Sequence, residues 1–254
     1  MSVGSSVEGL DGSLALVTGA GRGIGRATAL ALARAGADVV LASRTEADLR
    51  EVAAEVEALG VGATVAPCDL TVPGALDATL DALPRPVDVL VNGAGTNRPG
   101  PFVDVLVEDL DLLLAQNVRA PVLVAQAVVQ RLLAAGRPGA IVNLSSQMGH
   151  VGYPGRSVYC TTKHAIEGLT KALAVELAPH GIRVNSVAPT FLETAMTAAM
   201  FEDETFRAEV LGRIPLGRLG TVDEVAAAIV FLASPAASLI TGASLRADGG
   251  WTAV

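Results

Sequence analysis

Short apolar runs alternate along this chain with longer segments whose apolar residues recur at helical spacing. The runs lack the every-second-residue polarity of half-exposed strands, which is typical of strands buried in a parallel sheet. Strands are predicted at 14–17, 38–42, 63–67, 87–91, 140–144, 182–187 and 243–245. Helices are predicted at 24–35, from an N-cap at Thr45 to about 59, and at 73–83, 107–133 (bent near Pro121), 158–177 and 222–232. The alternation predicts a doubly wound α/β fold, with about seven parallel strands and helices on both faces.

One domain spanning residues 1–254 is predicted, because no Pro-, Gly- or Ser-rich linker and no internal repeat divides the chain. The stretch from about 190 to 215 interrupts the alternation of strands and helices, since it carries bulky apolar residues without a predicted strand. It follows the sixth strand, at the sheet edge where this architecture binds ligands. A substrate lid is the preferred interpretation and a packing flap is the alternative.

Composition argues against several kinds of partner and site. The chain has 254 residues, a net charge of -8 and a pI of about 4.9. It lacks basic runs, so nucleic acid and anionic membranes are poor partners. Uninterrupted apolar runs are too short for a membrane span, and no signal peptide is recognisable at the start. Two cysteines give no disulfide framework and three separated histidines give no metal site, so we expect a cytoplasmic protein without a metal.

A glycine-rich turn joins the first strand to the first helix. Gly19, Gly21, Gly23 and Gly25 lie in this turn, together with Arg22 and Ile24. Glycines let the backbone approach a pyrophosphate, whose charge the helix N-terminus stabilises. The spacing differs from the common G-x-G-x-x-G fingerprint. A turn with a purely structural role is the alternative.

The second strand ends in Ser43-Arg44, without an acidic residue. An acid there favours NAD, whereas arginine accommodates the 2′-phosphate of NADP. Arg22 can supply a second guanidinium from the glycine turn. NADP(H) is therefore preferred and NAD(H) remains open; the alternative is that both arginines are ordinary solvated surface groups.

Tyr159 and Lys163 are four residues apart in a predicted helix, thirteen residues after Ser146. This spacing places the phenol and the ammonium on one helix face. We expect the cation to lower the phenol pKa, so that Tyr159 exchanges a proton near neutral pH while Ser146 holds a substrate oxygen. A chance spacing is the alternative.

The glycine turn, Ser146 and the Tyr159-x-x-x-Lys163 motif together closely resemble the short-chain dehydrogenase/reductase family in its compact single-domain form. The resemblance implies a Rossmann-like fold in which Tyr159 is the general acid/base, Ser146 orients the substrate oxygen, and Lys163 holds the nicotinamide ribose. It implies that the backbone of Asn117 anchors a relay water. The cofactor residues that the resemblance and the loop positions suggest are Gly19, Gly21, Arg22, Gly23, Ile24, Gly25, Ser43, Arg44, Asp69, Leu70, Asn92, Ala94, Gly95, Tyr159, Lys163, Pro189 and Thr190.

Two positions depart from the family pattern. Gly93 replaces an asparagine after the fourth strand, which should cost a local hydrogen bond, and Thr190 replaces a glycine after the sixth. Loops after strands four to six are expected to line the substrate site. Their candidate residues are Asn97, Ser146, Gln147, Tyr153, Tyr159, Thr190, Phe191 and Met196.

These observations predict an NADP(H)-dependent oxidoreductase that transfers a hydride between nicotinamide and a small ketone or secondary alcohol. One alternative is an NAD-linked polyol or sugar-acid dehydrogenase working in the oxidative direction. Another, from a different class, is a non-catalytic dinucleotide-binding sensor. The long apolar helices and the family resemblance suggest a homotetramer.

Overall fold

The computed structural model describes residues 9–193 and 199–254. Its strands are β1 (Leu14–Thr18), β2 (Asp38–Ser43), β3 (Ala63–Pro67), β4 (Val89–Asn92), β5 (Gly139–Leu144), β6 (Ile182–Pro189) and β7 (Ser244–Ala247). Its α-helices are α1 (Gly23–Arg34), α2 (Glu46–Ala58), α3 (Asp77–Ala82), α4 (Val107–Leu114), α5 (Ala120–Ala134), α6 (Ser157–Leu177), α7 (Glu204–Gly212) and α8 (Val222–Ala233).

The strands form one parallel sheet in the order β3-β2-β1-β4-β5-β6-β7. The chain winds outward from β1 to β3, then crosses back to place β4 on the other side of β1. The reversal leaves a crevice at the carboxyl ends of β1 and β4, which is where ligands bind in doubly wound sheets. The predicted fold class is confirmed.

Helices bury apolar layers on both faces of the sheet. On one face, α1, α2 and α8 supply residues such as Leu32, Leu49 and Ile229 to a continuous core. On the other, α5 and α6 supply Leu132 and Leu177. Successive residues of β1 enter the two cores alternately. Since both faces are covered, the central strands are mainly apolar on both faces, which explains why β1 and β2 appear in the sequence as apolar runs.

Most element boundaries agree with the sequence prediction, but two details were wrong. The predicted helix 73–83 begins only at Asp77, because Gly74 has φ +76° in the left-handed region and cannot continue a helix. Thr45 is the N-cap residue of α2, as predicted, although its side chain makes no capping hydrogen bond. The stretch 190–215 is not wholly irregular, since it contains α7, which Asp203 caps.

The long helix is interrupted at a different place from the predicted bend. A π-helical turn, Ala115–Arg119, joins α4 to α5, and the helix then continues through Pro121 in the first turn of α5. Counted as one segment, Val107–Ala134 is long and apolar enough to cross a membrane by length and composition alone. That is weak evidence, since core helices meet the same test. This segment is not visible as an uninterrupted apolar run in the sequence, because polar residues divide it.

Candidate active site

The glycine turn brings the backbone of β1 and α1 close to the segment after β4. Gly19 and Gly23 have φ of +71° and +56°, which L-residues with a side chain rarely adopt. A Cβ on Gly25 would overlap the carbonyl oxygen of Gly19, and one on Gly19 would lie 3.0 Å from the Cα of Ala94. The turn therefore requires glycine for close backbone contact as well as for conformation.

Thr18 and Gly93 hold the turn against the β4 loop. The Thr18 hydroxyl oxygen accepts hydrogen bonds from the backbone amides of Gly93 and Ala94, at 3.0 and 3.1 Å. A Cβ at Gly93 would lie only 2.7 Å from the carbonyl oxygen of Thr18. Glycine at 93 thus permits this close approach, a packing role that the sequence comparison of the motif did not suggest.

At the end of β2, Arg44 is exposed beside the half-buried Ser43, and Arg22 is exposed at the N-cap of α1. Within the described part of the chain, neither arginine takes part in an ion pair. We call Arg22 and Arg44 the arginine rim. Their guanidinium groups are available to a phosphate from solvent.

Asp69 and Asp48 bring acidic groups to the same region. Asp69 Oδ1 accepts hydrogen bonds from the amide and hydroxyl of Thr71, and these bonds, with a smaller contribution from Arg44, hold the pKa of Asp69 below its usual value. Asp48, in the first turn of α2, lies against Gly21, where a Cβ would be 2.9 Å from its own Cβ. Asp48 was not among the predicted cofactor residues, because it lies on α2 and only acidic residues on the second strand were expected there.

Asn117 links the β4 loop to α6. It lies in the π-helical turn, and its side chain is 1% exposed. Its Oδ1 accepts from the Thr96 amide at 2.8 Å, and its Nδ2 donates to the Thr96 carbonyl at 2.8 Å and the Thr162 hydroxyl at 3.2 Å. π-Helical turns alter the backbone hydrogen-bond ladder and are frequent at functional sites.

The structure brings Tyr159, Ser146 and Lys163 together at the carboxyl ends of β5 and β6. The Ser146 hydroxyl donates to Gln147 Oε1 at 2.7 Å and lies close enough to the Tyr159 phenol to act on its pKa. Lys163 Nζ lies 5.6 Å from the centre of the Tyr159 ring and donates to the Leu144 carbonyl at 2.8 Å. We call Asn117, Ser146, Tyr159 and Lys163 the tyrosine cluster.

The expected lowering of the Tyr159 pKa is wrong for this environment. Burial raises the pKa of Tyr159 to about 12, although its interaction with Ser146 acts in the opposite direction. Burial also lowers the pKa of Lys163 to about 8. Removal from water disfavours a phenolate and an ammonium alike, and this loss of solvation is the largest influence on the pKa of each group. Tyr159 is consequently a neutral phenol at physiological pH, which is the form that can donate a proton.

A buried carboxylate that the sequence reasoning missed lies one helical turn beyond Lys163. Glu167 accepts hydrogen bonds from the hydroxyls of Ser186 and Ser244 at 3.0 to 3.1 Å, and one of its oxygens is 3.4 Å from His150 Nε2. Its charge opposes the burial effect on Lys163 and raises that lysine's pKa. In the sequence, the position of Glu167 four residues after Lys163 in one helix was the feature that could have indicated this contact.

The predicted substrate residues lie in different surroundings. Gln147 is buried beside Ser146, while Tyr153 and Phe191 pack edge-on at 5.9 Å in an aromatic cluster with Phe201, Phe206 and Trp251. The aromatic cluster joins the 190–215 stretch to the loop after β5. Met196 lies outside the described residues. Asn97 is in the β4 loop, and its buried Oδ1 has no hydrogen-bond partner among residues 9–193 and 199–254.

The crevice fits a nicotinamide dinucleotide. The N-terminus of α1 has no side-chain cap, so its amides are open to a phosphate. A Cβ on Gly95 would stand 3.1 Å from Asn117 Oδ1 and 3.9 Å from Lys163 Nζ, so glycine leaves that space free. At the end of β6, beyond Pro189, the buried Thr190 hydroxyl has no hydrogen-bond partner in the described part of the chain.

Comparison with known proteins agrees with these observations. A family model described as enoyl-(acyl carrier protein) reductase matches residues 19–252. The chain is 45% identical to L-xylulose reductase of Bos taurus, covering 96% of this chain and 98% of the relative. It is 40% identical to gluconate 5-dehydrogenase of Gluconobacter oxydans (strain 621H), covering 96% of each.

A solved structure has the same fold. Gluconate 5-dehydrogenase of Burkholderia cenocepacia J2315, in complex with NADP and tartrate, has a TM-score of 0.92 and 36% identity. The match covers 97% of this chain and 98% of that one.

Proposed function

Because the chain belongs to the short-chain dehydrogenase/reductase family, we propose that it interconverts a polyhydroxylated ketone and its secondary alcohol, with NADP(H) as the preferred cofactor. It is an oxidoreductase that uses a nicotinamide dinucleotide, and the relatives named above are reductases and dehydrogenases. The alternative of a non-catalytic sensor is therefore set aside. The tyrosine cluster at the crevice is the observation that carries the proposal.

In this proposal, Tyr159 is the general acid for ketone reduction. Its raised pKa keeps the proton on the phenol until the substrate oxygen gains negative charge. The Ser146 hydroxyl, which can rotate away from Gln147 Oε1, donates a second hydrogen bond to that oxygen. A nicotinamide dinucleotide held in the crevice supplies or accepts the hydride.

Lys163 and Asn117 complete the proposed proton path. One of the three ammonium donors of Lys163 is used by the Leu144 carbonyl, which leaves two for ribose hydroxyls or water. Asn117 fixes the β4 loop beside it through the paired hydrogen bonds to Thr96. The burial of both side chains holds this geometry without rearrangement during the reaction.

The arginine rim supports the preference for NADP(H). A guanidinium without a carboxylate partner is suited to bind a 2′-phosphate, and Arg22 and Arg44 flank the place where that group is expected. The rest of the cofactor is proposed to contact the residues that the sequence suggests for it, from Gly19 to Thr190. NAD(H) is the second candidate, because the acidic side chain of Asp48 also lies near Gly21.

Two substrate classes remain: a neutral ketose, as the name L-xylulose reductase indicates for that relative, and a sugar acid, as gluconate 5-dehydrogenase indicates. We propose that Asn97, Gln147, Tyr153, Phe191 and Met196 line the site, with residues 190–215 as a lid. The aromatic cluster supports this, since it anchors the described part of that stretch beside the loop after β5.

We further propose that residues 1–254 act as one domain, in the cytoplasm, as a homotetramer. Exposed apolar side chains support an assembly, since Val107 on α4 is 67% exposed and Val175 on α6 is 79% exposed. Light scattering should give four times the mass of one chain; a monomer would contradict the tetramer. Cell fractionation tests the compartment.

A substrate screen tests the proposed activity. Purified protein is mixed with NADPH or NADH and a panel of ketoses and keto-sugar acids, and with NADP⁺ or NAD⁺ and the matching alcohols, while nicotinamide absorbance is followed. We expect turnover of at least one polyhydroxy ketone, faster with NADPH. The variant Tyr159→Phe is the control for contaminating enzymes. A complete absence of turnover by protein that binds NADPH would contradict the proposal.

A further inference from the structure

Arg156 carries a buried positive charge without a carboxylate partner, close to Tyr159. Its side chain is 7% exposed. Within the described residues its one hydrogen bond runs from a terminal nitrogen to the Gly155 carbonyl, at 3.3 Å, and its Nε has no partner. A guanidinium has five N–H donors, so most of its capacity is unused. A buried unpaired charge destabilises the folded protein, so such a group is a candidate for binding an anionic ligand.

The position of Arg156 makes this arrangement unusual. The residue is at the N-cap of α6, a helix of 21 residues, and makes no side-chain capping bond there. Helix N-termini carry partial positive charge, so a cation at this end is electrostatically unfavourable. An anion at the same place would be stabilised by the helix end and by the guanidinium together.

The guanidinium lies close enough to the phenols of Tyr153 and Tyr159, two residues of the proposed substrate site, and to Cys160 to interact with them electrostatically. Among the described residues, no carboxylate contributes to its pKa. Burial lowers the pKa of Arg156, as expected for a cation removed from water. The preceding residue, Gly155, accepts a backbone hydrogen bond from Gly100 at 3.0 Å, which ties the start of α6 to the β4 loop.

We propose that Arg156 binds the carboxylate of the substrate, so that the physiological substrate is a sugar acid rather than a neutral ketose. This inference rests on the proposed function. The planar fork of arginine matches a carboxylate through two parallel hydrogen bonds, which a hydroxymethyl group cannot replace. Arg156 is thus a specificity-determining residue three positions before the proton donor.

The substrate pair 5-keto-D-gluconate and L-sorbose tests this directly, because the two differ only in carboxylate against hydroxymethyl at one end. We expect the unmodified protein to have the higher kcat/KM for 5-keto-D-gluconate. In Arg156→Met, the ratio of the two kcat/KM values should fall by about 30-fold or more, mainly through KM for the acid. Arg156→Lys should restore part of the ratio.

Arg218 offers a control. It lies outside the 190–215 stretch and is already paired with Glu224, whose Oε2 accepts from Arg218 at 3.0 Å. Arg218→Met should leave the ratio unchanged. Equal losses for both substrates in Arg156→Met, accompanied by a shifted pH profile, would show that Arg156 acts through Tyr159, and an unchanged ratio would show that it does not contact the acid. Either result would overturn the proposal.

A binding experiment separates this inference from the proposed activity. Calorimetry with NADP⁺-loaded Tyr159→Phe should detect D-gluconate binding that Tyr159→Phe/Arg156→Met lacks, and D-glucitol should bind Tyr159→Phe more weakly than D-gluconate does. If the unmodified protein turns over no ketone or alcohol of the substrate screen while gluconate still binds through Arg156, the activity is wrong and the anion site stands. If gluconate binds equally to both variants, the anion site is wrong.

Discussion

The tyrosine cluster and the arginine rim differ in the solvent exposure of their ionisable groups. In the cluster, Lys163 is buried and Tyr159 is half-buried, and the loss of solvation changes both of their pKa values. On the rim, Arg22 and Arg44 are exposed and solvated. A buried group acts through its protonation state and fixed neighbours, whereas an exposed group acts by attracting a charged ligand. Substitutions in the cluster should therefore affect kcat, and substitutions on the rim should affect cofactor KM.

The largest effect is expected from Tyr159→Phe. The change removes the proton donor and leaves the ring, so kcat should fall by about 10³-fold or more while NADPH binding stays within about threefold. Steady-state kinetics and NADPH fluorescence titration measure the two quantities. Tyr153→Phe is the matched control, since the other tyrosine of the chain donates to Glu209 in the aromatic cluster and should keep most of its kcat. Near-normal turnover in Tyr159→Phe would refute the role of the cluster.

The next largest effect should come from Arg44→Asp. Loss of a charged hydrogen bond to phosphate, together with repulsion, should lower kcat/KM for NADPH by about 10- to 100-fold, with little change for NADH. Arg50→Ala is the control, because that exposed arginine on α2 is already paired with Glu46. Equal losses with both cofactors would show that the arginine rim does not select the 2′-phosphate.

The pH dependence should show the charge of Lys163. Below pH 8 the ammonium is charged; above pH 8 it loses its proton, and kcat/KM for ketone reduction should fall by about tenfold per pH unit. Unfolding does not explain such a loss. An unfolded lysine keeps its proton to about 10.5, so the unfolded state binds more protons in this window and the Lys163 contribution to stability rises with pH.

Glu167→Gln sharpens this test. Glu167 raises the pKa of Lys163, so removal of its charge should move the fall in activity to lower pH, whereas the exposed pair Glu46 and Arg50 should have no such influence. The comparison requires full pH–rate profiles of the unmodified protein, Glu167→Gln and Glu46→Gln. An unshifted profile in Glu167→Gln would show that the carboxylate does not affect the lysine.

The smallest effect should follow Asp48→Asn. This half-buried acid lies beside Gly21, and its charge should weakly repel a 2′-phosphate. Because the rim is solvated, kcat/KM for NADPH should rise by only about two- to fivefold. A larger effect would show that charges on the rim are less screened than their exposure indicates.

The sequence was sufficient for the fold because both sheet faces are covered, which leaves mainly apolar strands between helical segments. It also located Tyr159 and Lys163, because their spacing of four is a local property of one helix. The pKa direction of Tyr159 could not be predicted, since burial depends on what packs around the ring. Glu167 and Arg156 were missed for a similar reason: the hydroxyl partners of Glu167 come from β6 and β7, and only the folded structure shows that Arg156 has no carboxylate partner among the described residues.

The protonation state of Tyr159 in the folded protein is the most direct test. The chain has only two tyrosines, and burial raises the pKa of both above the ordinary value of 10. Ultraviolet difference titration of the unmodified protein against Tyr159→Phe should detect no phenolate from Tyr159 below pH 10. A phenolate that appears near neutral pH in the unmodified protein and is absent from Tyr159→Phe would contradict a neutral proton donor held by burial.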